Sequence, residues 1–216
     1  MNYEDRLTLL NHIDLYPVTC QELSSGRTNL EVLDAVLAGG VKIIQLREKD
    51  WSKKDVYDLA VIFKKKTRAC NALLIINDHI DIALAVDADG VHLGQNDLPV
   101  NAARKIAPDL IIGASSHHLD QALQAEKDGA DYINIGPVFP TKTKKEALEF
   151  VGTEAIKNIG PKLNKPFTVM GGINQTNIHE VLKAGARRVA MVTGITRAGN
   201  ITDRVQALRK TILSYK

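Results

Sequence analysis

Two aspartates follow short apolar runs: Asp78 comes after Leu73-Leu74-Ile75-Ile76-Asn77, and Asp97 after Val91-His92-Leu93-Gly94-Gln95-Asn96. A third run, 41–44, opens into Gln45-Leu46-Arg47-Glu48-Lys49. If these runs are neighbouring parallel strands, about 4.8 Å apart, two carboxylates and two cations meet at one rim. Magnesium is typically held by one or two carboxylates, with phosphate oxygens and water completing its octahedron. Such a rim suits a magnesium ion carrying a polyphosphate. Taken singly, each aspartate also has a structural reading. Asp78 fits the N-cap of the next helix, and Asp97 fits a turn ahead of Pro99.

Other polar groups stand in the same kind of place. Strand side chains alternate, so Gln45, Arg47 and Lys49 share one face. An amide, a guanidinium and an ammonium converging on one point suit phosphate oxygens. The solvated end of a charged strand is the alternative. Ser115, in Gly113-Ala114-Ser115-Ser116-His117, either caps the next helix or touches a ligand, and His117 and His118 read as surface residues. Gly136-Pro137-Val138-Phe139-Pro140 runs into Thr141-Lys142-Thr143-Lys144-Lys145, a segment of hydroxyls and cations suited to closing over a phosphorylated ligand. Gly171-Gly172 and Thr193-Gly194 end two further runs. Glycines there let backbone N–H groups approach an anion. The rim thus divides into two anion sites, one of metal and basic side chains and one of backbone amides. Two phosphorylated small-molecule substrates are expected to meet between them.

The elements that must position these residues alternate along the chain. Eight β-like runs fall near 13–18, 42–46, 73–76, 90–93, 110–114, 132–135, 167–170 and 188–192, each followed by a helical candidate. The second helix opens with Ser52-Lys53-Lys54-Asp55, a capping-box-like start, and sets Val56, Leu59, Ala60 and Phe63 on one face. The last helix spaces Ile201, Val205, Leu208 and Ile212 likewise, and the helix before Ala184-Gly185 meets a glycine stop. Strands alternating with helices indicate a parallel sheet, and eight units favour closure into a single α/β barrel, a (β/α)8 TIM barrel over residues 1–216. A doubly wound sheet would need a glycine-rich turn after its first strand, and Val18-Thr19-Cys20-Gln21 is not one. The segments "DADGVHLG", "GADYINIG" and "GARRVAMVTG" repeat one pattern: helix end, tight turn, strand.

Composition narrows the function classes. With 44% hydrophobic and 25% charged residues the chain has the balance of a soluble globular domain. A net charge of +3 does not argue for nucleic acid and permits anionic small substrates. Cys20 and Cys70 lack metal-type spacing and read as reduced thiols of a cytoplasmic protein. No apolar stretch approaches the ~20 residues that span a membrane, and the N-terminus lacks the pattern of a signal peptide. Helix surfaces on such barrels can pair into a homo-oligomer, although no patch stands out in the sequence.

Together "QLREK", "IINDHIDIALAVDADGVHLGQNDLP", "IIGASSH", "GADYINIGPVFPTKTK" and "GGINQTN…AGARRVAMVTGI" resemble the thiamine-phosphate synthase family, in order from about residue 13 to residue 196. The resemblance implies a (β/α)8 barrel that joins hydroxymethylpyrimidine diphosphate to a thiazole phosphate, giving thiamine monophosphate and pyrophosphate. By motif, Gln45, Arg47, Lys49 and Asn77 match positions that bind the pyrimidine diphosphate, and Ser115 and Lys144 match further contacts to it. Asp78 and Asp97 match the magnesium ligands. Thr141 and Thr143 match the thiazole-phosphate loop, and Gly172, Val192 and Thr193 match the backbone phosphate cradle. Thr193 stands where many members have serine, and Glu146-Ala147-Leu148-Glu149-Phe150 is more acidic than the usual lid. The first strand's Tyr16-Pro17-Val18-Thr19 matches loosely and receives no role.

The implied reaction is an alkyl transfer through a pyrimidine carbocation. The thiazole nitrogen already carries a lone pair, so no general base is needed. Magnesium, Arg47, Lys49 and Lys144 would stabilise the departing charge. A thiazole tautomerase of the same superfamily and a non-catalytic sensor of thiamine-pathway phosphates are the rival readings.

Overall fold

The apolar runs form eight parallel strands: β1 (Leu15–Pro17), β2 (Ile43–Leu46), β3 (Leu73–Asn77), β4 (Gly90–Leu93), β5 (Ile111–Ser116), β6 (Tyr132–Ile135), β7 (Phe167–Val169) and β8 (Val189–Met191). The computed structural model describes residues 1–141 and 149–215. Ladders run in the order β1-β8-β7-β6-β5-β4-β3-β2. A parallel bridge from Val18 to Gln45, with Thr19 N–H donating to the Gln45 carbonyl at 2.9 Å, brings β1 against β2 and closes the ring. The ladder between β7 and β8 is as short, with Val169 and Val189 its one registered pair.

Helices wrap the ring: α1 (Tyr3–His12), α2 (Asn29–Ala38), α3 (Lys53–Ala69), α4 (Ile80–Ala85), α5 (Val100–Ile106), α6 (Leu119–Lys127), α7 (Gly152–Ile159), α8 (Ile178–Lys183), α9 (Thr193–Thr196) and α10 (Ile201–Leu213). Their starts obey local chemistry. Ser52 accepts from the Asp55 N–H at the head of α3, and Thr28 with Glu31 makes a full capping box on α2. The faces expected from periodicity are the buried ones, Val56, Leu59, Ala60 and Phe63 on α3 and Ile201, Val205, Leu208 and Ile212 on α10. The repeated motif also has a physical basis. Asp87, Gly129 and Gly185 each adopt positive φ after a helix, and each is followed by a buried alanine and then a strand. A left-handed residue ends the helix, and only a small side chain fits where the chain turns back under it.

Alternation along the strands splits the core in two. Leu15, Ile44, Leu46, Leu74, Ile76, Val91, Ile112 and Ile133 face the helices. Tyr16, Ile43, Leu73, Ile75, Ile111, Tyr132 and Ala190 fill the lumen. Toward the strand C-termini this inner face turns polar, where Gln45, Asn77, His92, Ser115 and Asn134 line the cavity.

One helix lies outside the strand-first scheme. α1 precedes β1, and its Leu10, with Ile13 just after it, joins the lumen cluster and closes the N-terminal end of the barrel. Polar contacts hold it there: the Tyr3 hydroxyl donates to Asp131 at 2.6 Å, and the Arg6 guanidinium lies 3.3 Å from Asp89. Asp14, Asp89 and Asp131 form a buried acidic tier just before β1, β4 and β6. Each is paired, Asp14 with Arg209, Asp89 with Lys64 and Arg6, and Asp131 with Arg104. Asp89 and Asp131 also accept the N–H groups of Leu74 and Ile112 on neighbouring strands. Among the described residues no helix is long and apolar enough to cross a membrane.

Candidate active site

A cavity opens at the C-terminal ends of the strands, where (β/α)8 barrels carry their active sites. Its empty space is about 1030 Å³, open solvent at its mouth included. Gln45, Arg47, Lys49, Asn77, Asp78 and Asp97 line it, and so do Ser115, Thr141, Gly172, Val192 and Thr193. Thus every expected site residue within the described part of the chain reaches one space. Thr143 and Lys144, with the rest of 142–148, lie outside the described residues.

The end of β2 behaves as its alternation requires. Gln45, Arg47 and Lys49 face the cavity, while Leu46 joins the outer core and buried Glu48 accepts the Gln21 N–H at 2.9 Å. The Arg47 N–H donates to the Thr19 hydroxyl at 2.9 Å, tying this strand end to the loop after β1. Burial pushes the Glu48 carboxyl above its ordinary range, against the lowering effect of that Gln21 N–H.

Asp78 is not a helix cap. The cap position of α4 is His79, which makes no side-chain cap bond, and Asp78 has φ of 63°, a left-handed backbone that aspartate tolerates better than most residues. Its N–H donates to the His92 carbonyl, and its carboxylate meets the Lys49 ammonium at 3.0 Å. Asp97 keeps the turn expected of it, accepting the Gly94 N–H at 2.7 Å, but it also faces Asp78. Burial raises the pKa of Asp97; the Gly94 N–H lowers it, and the hydrogen bond and charge of Asp78 raise it further. Two carboxylates have therefore been brought together where one resists ionising, and the nearby Lys49 ammonium offsets only part of that conflict. Among the described residues no group of three or more His, Cys, Asp or Glu is placed to hold an ion. The donor set instead suits a hard divalent ion that takes its remaining ligands from phosphate and water.

Three expectations need correction. Ser115 does not cap a helix: it lies within β5, and its hydroxyl is 2.9 Å from His92 Nε2. His117 is not a surface residue; it lines the cavity and its Nδ1 donates to the Gly136 carbonyl. A carbonyl only accepts, so that nitrogen carries the proton. The first strand is also part of the site, through Tyr16 and Val18.

The glycines of the β7 loop have a packing explanation. Gly171 and Gly172 both have positive φ, and a Cβ on either would lie 2.5 Å from the backbone of the 137–140 segment. The two loops are joined by hydrogen bonds from Val138 N–H to the Met170 carbonyl and from Phe139 N–H to the Gly171 carbonyl. Contact between loops therefore requires glycine here, whatever the main chain also offers a ligand. Beside them, Val192 caps the short helix α9 and Thr193 begins it, so the first N–H groups of that turn lack partners within the helix.

Sequence reasoning missed Tyr16, His92, His117 and Asn134 as lining residues. For His92 a signal exists: it sits two residues before Gly94 and shares the inward parity of Gly90, but its apolar neighbours Val91 and Leu93 hide it.

Fold and site together define a (β/α)8 barrel with a pocket of cations and paired carboxylates at the carboxyl ends of its strands. Residues 15–195 match the family described as thiamine monophosphate synthase, and the chain belongs to that family. It is 46% identical over 195 residues to the thiamine-phosphate synthase of Shouchella clausii, covering 90% of this chain and 93% of that one. To the thiamine-phosphate synthase of Pelotomaculum thermopropionicum it is 44% identical over 207 residues, 95% of each chain. Among solved structures, thiamine phosphate pyrophosphorylase from Pyrococcus furiosus superposes with a TM-score of 0.88 at 38% identity, covering 96% of this chain and 98% of that one.

Proposed function

We propose that this chain condenses hydroxymethylpyrimidine diphosphate with hydroxyethylthiazole phosphate, giving thiamine monophosphate and pyrophosphate. One observation carries the reading. In a chain of this family, the described residues among those expected to bind the two substrates converge on a single cavity at the C-terminal face of the barrel.

In this reading Gln45, Asn77 and Ser115 hold the pyrimidine diphosphate. Arg47 and Lys49, with Lys144, take up negative charge as the carbon–oxygen bond to the diphosphate breaks. The electron pair leaves with the diphosphate, and the thiazole nitrogen supplies the pair that forms the new carbon–nitrogen bond. No proton is removed from that nitrogen, so the site needs no general base. The Lys49 ammonium lies 3.0 Å from the Asp78 carboxylate, on the side of the cavity where this charge would develop. Thr141 and Thr143 with the backbone around Gly172, Val192 and Thr193 hold the thiazole phosphate opposite. Asp78 and Asp97 would hold magnesium, which when bound offsets charge on the leaving diphosphate. We place the reaction in the cytoplasm, in keeping with two free thiols, Cys20 and Cys70.

Mixing the purified protein with both substrates and magnesium tests the proposal. Pyrophosphate and thiamine monophosphate should appear in equal amounts, and only when both substrates are present. A tautomerase or a sensor would leave the pyrimidine diphosphate unconsumed, and that result would overturn the reading.

A further inference from the structure

At the floor of the cavity, five side chains from five strands are joined by hydrogen bonds across the lumen. Gln45 Nε2 donates to the Tyr16 hydroxyl at 3.0 Å, Tyr16 and Tyr132 hydroxyls are 3.0 Å apart, and Tyr132 lies 2.9 Å from His92 Nδ1. His92 Nε2 then meets the Ser115 hydroxyl at 2.9 Å. Packing fixes the members: His92 stacks on Tyr132 with ring centroids 5.6 Å apart, and Tyr16 meets the Tyr132 edge at 6.1 Å. Tyr132 fits only because residue 113 is glycine, since a Cβ there would overlap its phenol ring. We infer that this chain has one hydrogen-bond polarity, so that Tyr16, Tyr132 and His92 are positioning residues that make Gln45 an acceptor and Ser115 a donor toward the bound pyrimidine. The assignment of that ligand rests on the proposed function; the polarity does not.

Polarity follows from counting hydrogens on two hydroxyls with almost no exposed surface. Tyr16 is 1% exposed and Tyr132 is fully buried, and a buried hydroxyl hydrogen without an acceptor is costly. The Tyr16 oxygen accepts from Gln45, so its own hydrogen must go to the Tyr132 oxygen, the other partner it has among the described residues. Tyr132 must then donate to His92 Nδ1. A nitrogen that accepts carries no proton, so the ring proton sits on Nε2 and is donated to the Ser115 oxygen. The Ser115 hydrogen is left to the cavity, and so is the Gln45 oxygen Oε1, both residues lining it. Turning the Gln45 amide over would reverse every bond and both ends together. The contact of Nε2 with Tyr16 assigns the first direction. A ligand on this floor must then bring a donor to Gln45 and an acceptor to Ser115. An aminopyrimidine carries an amine and ring nitrogens that meet both demands.

The tautomer of His92 reads the polarity directly. Nitrogen-15 correlation spectra of the histidine rings, with the His92 signals assigned by their loss in His92→Gln, should show Nδ1 bare and Nε2 protonated. A proton on Nδ1, a mixture of tautomers or a doubly protonated ring would overturn the inference. Tyr132→Phe cuts the chain in the middle. It should relax the tautomer preference and raise KM for the pyrimidine diphosphate about tenfold, with KM for the thiazole phosphate within about twofold. An unchanged pyrimidine KM would equally refute the role. The wild-type spectrum decides the polarity even if that variant does not fold. It is recorded without substrate, so an inactive protein with the expected tautomer would refute the proposed reaction alone.

Discussion

At Asp97, burial and a neighbouring carboxylate oppose ionisation of a group whose proposed work requires it. Asp97→Asn keeps an oxygen for the Gly94 N–H and removes the repulsion with Asp78. Thermal unfolding should therefore show a melting point equal to or above the parent's. Turnover at a fixed magnesium concentration should fall on the order of 100-fold. A stable variant with unimpaired pyrophosphate release would remove Asp97 from the site. Glu48 offers the opposite kind of test, because it faces away from the cavity. Its pKa is raised by burial, so the folded state holds the proton more tightly than the unfolded chain. Its contribution to stability is full below the ordinary glutamate range and is lost as pH rises through the raised value. Glu48→Gln cannot ionise, so its urea midpoint should gain on the parent's as pH rises above the ordinary glutamate range and through the raised value. A difference independent of pH would contradict this. Legibility varied with neighbours at this scale. Gln45, Arg47 and Lys49 were readable because polar residues alternate there without interruption, whereas His92 and Tyr16 sit among apolar residues and resemble core until the strands are curled into a ring.

Among the elements, β5 and β6 depend on each other through one missing side chain. Gly113→Ala would drive a methyl into the Tyr132 ring. Overpacking of this kind costs about 1–3 kcal/mol, measurable by denaturant unfolding, and should disturb the pyrimidine site more than the thiazole one. A variant as stable as the parent would mean that Tyr132 has room to move. The strands and most helices were legible because each is a run or a periodic face long enough to show. α1 was not. It fully buries one residue, Leu10, and its partner surface is the end of a lumen that exists only after the barrel closes.

Across the whole molecule, stability and chemistry occupy opposite ends of the barrel. The acidic tier of Asp14, Asp89 and Asp131 belongs to the closed end, just before β1, β4 and β6, while the cavity opens at the ends of those strands. Asp89→Asn would leave Arg6 and Lys64 without their carboxylate and remove 3.0 and 3.3 Å ion pairs. Loss of one partner from a buried pair costs about 3–5 kcal/mol, and the low end is expected because both cations reach solvent. The melting point should drop clearly while the folded protein keeps its KM for both substrates. A shift in either KM would show that the two ends are coupled. The closed form of the sheet was legible from eight alternating units, since an open sheet would have required a different first turn. Its tightness was not, because ring closure rests on register between residues far apart in the chain.

Closure itself is uneven. The ring is fastened at two short clasps, one at Val18 and Gln45 and the other at Val169 and Val189. Both clasps adjoin the proposed ligand groups, Gln45 for the pyrimidine and the 171–172 and 192–193 turns for the thiazole phosphate. Local opening of such a bracelet is easiest where the fewest ladder bonds fasten it. The two substrates, each gripping one clasp from above, would act as locks on it, and a filled site would hold the entire ring shut.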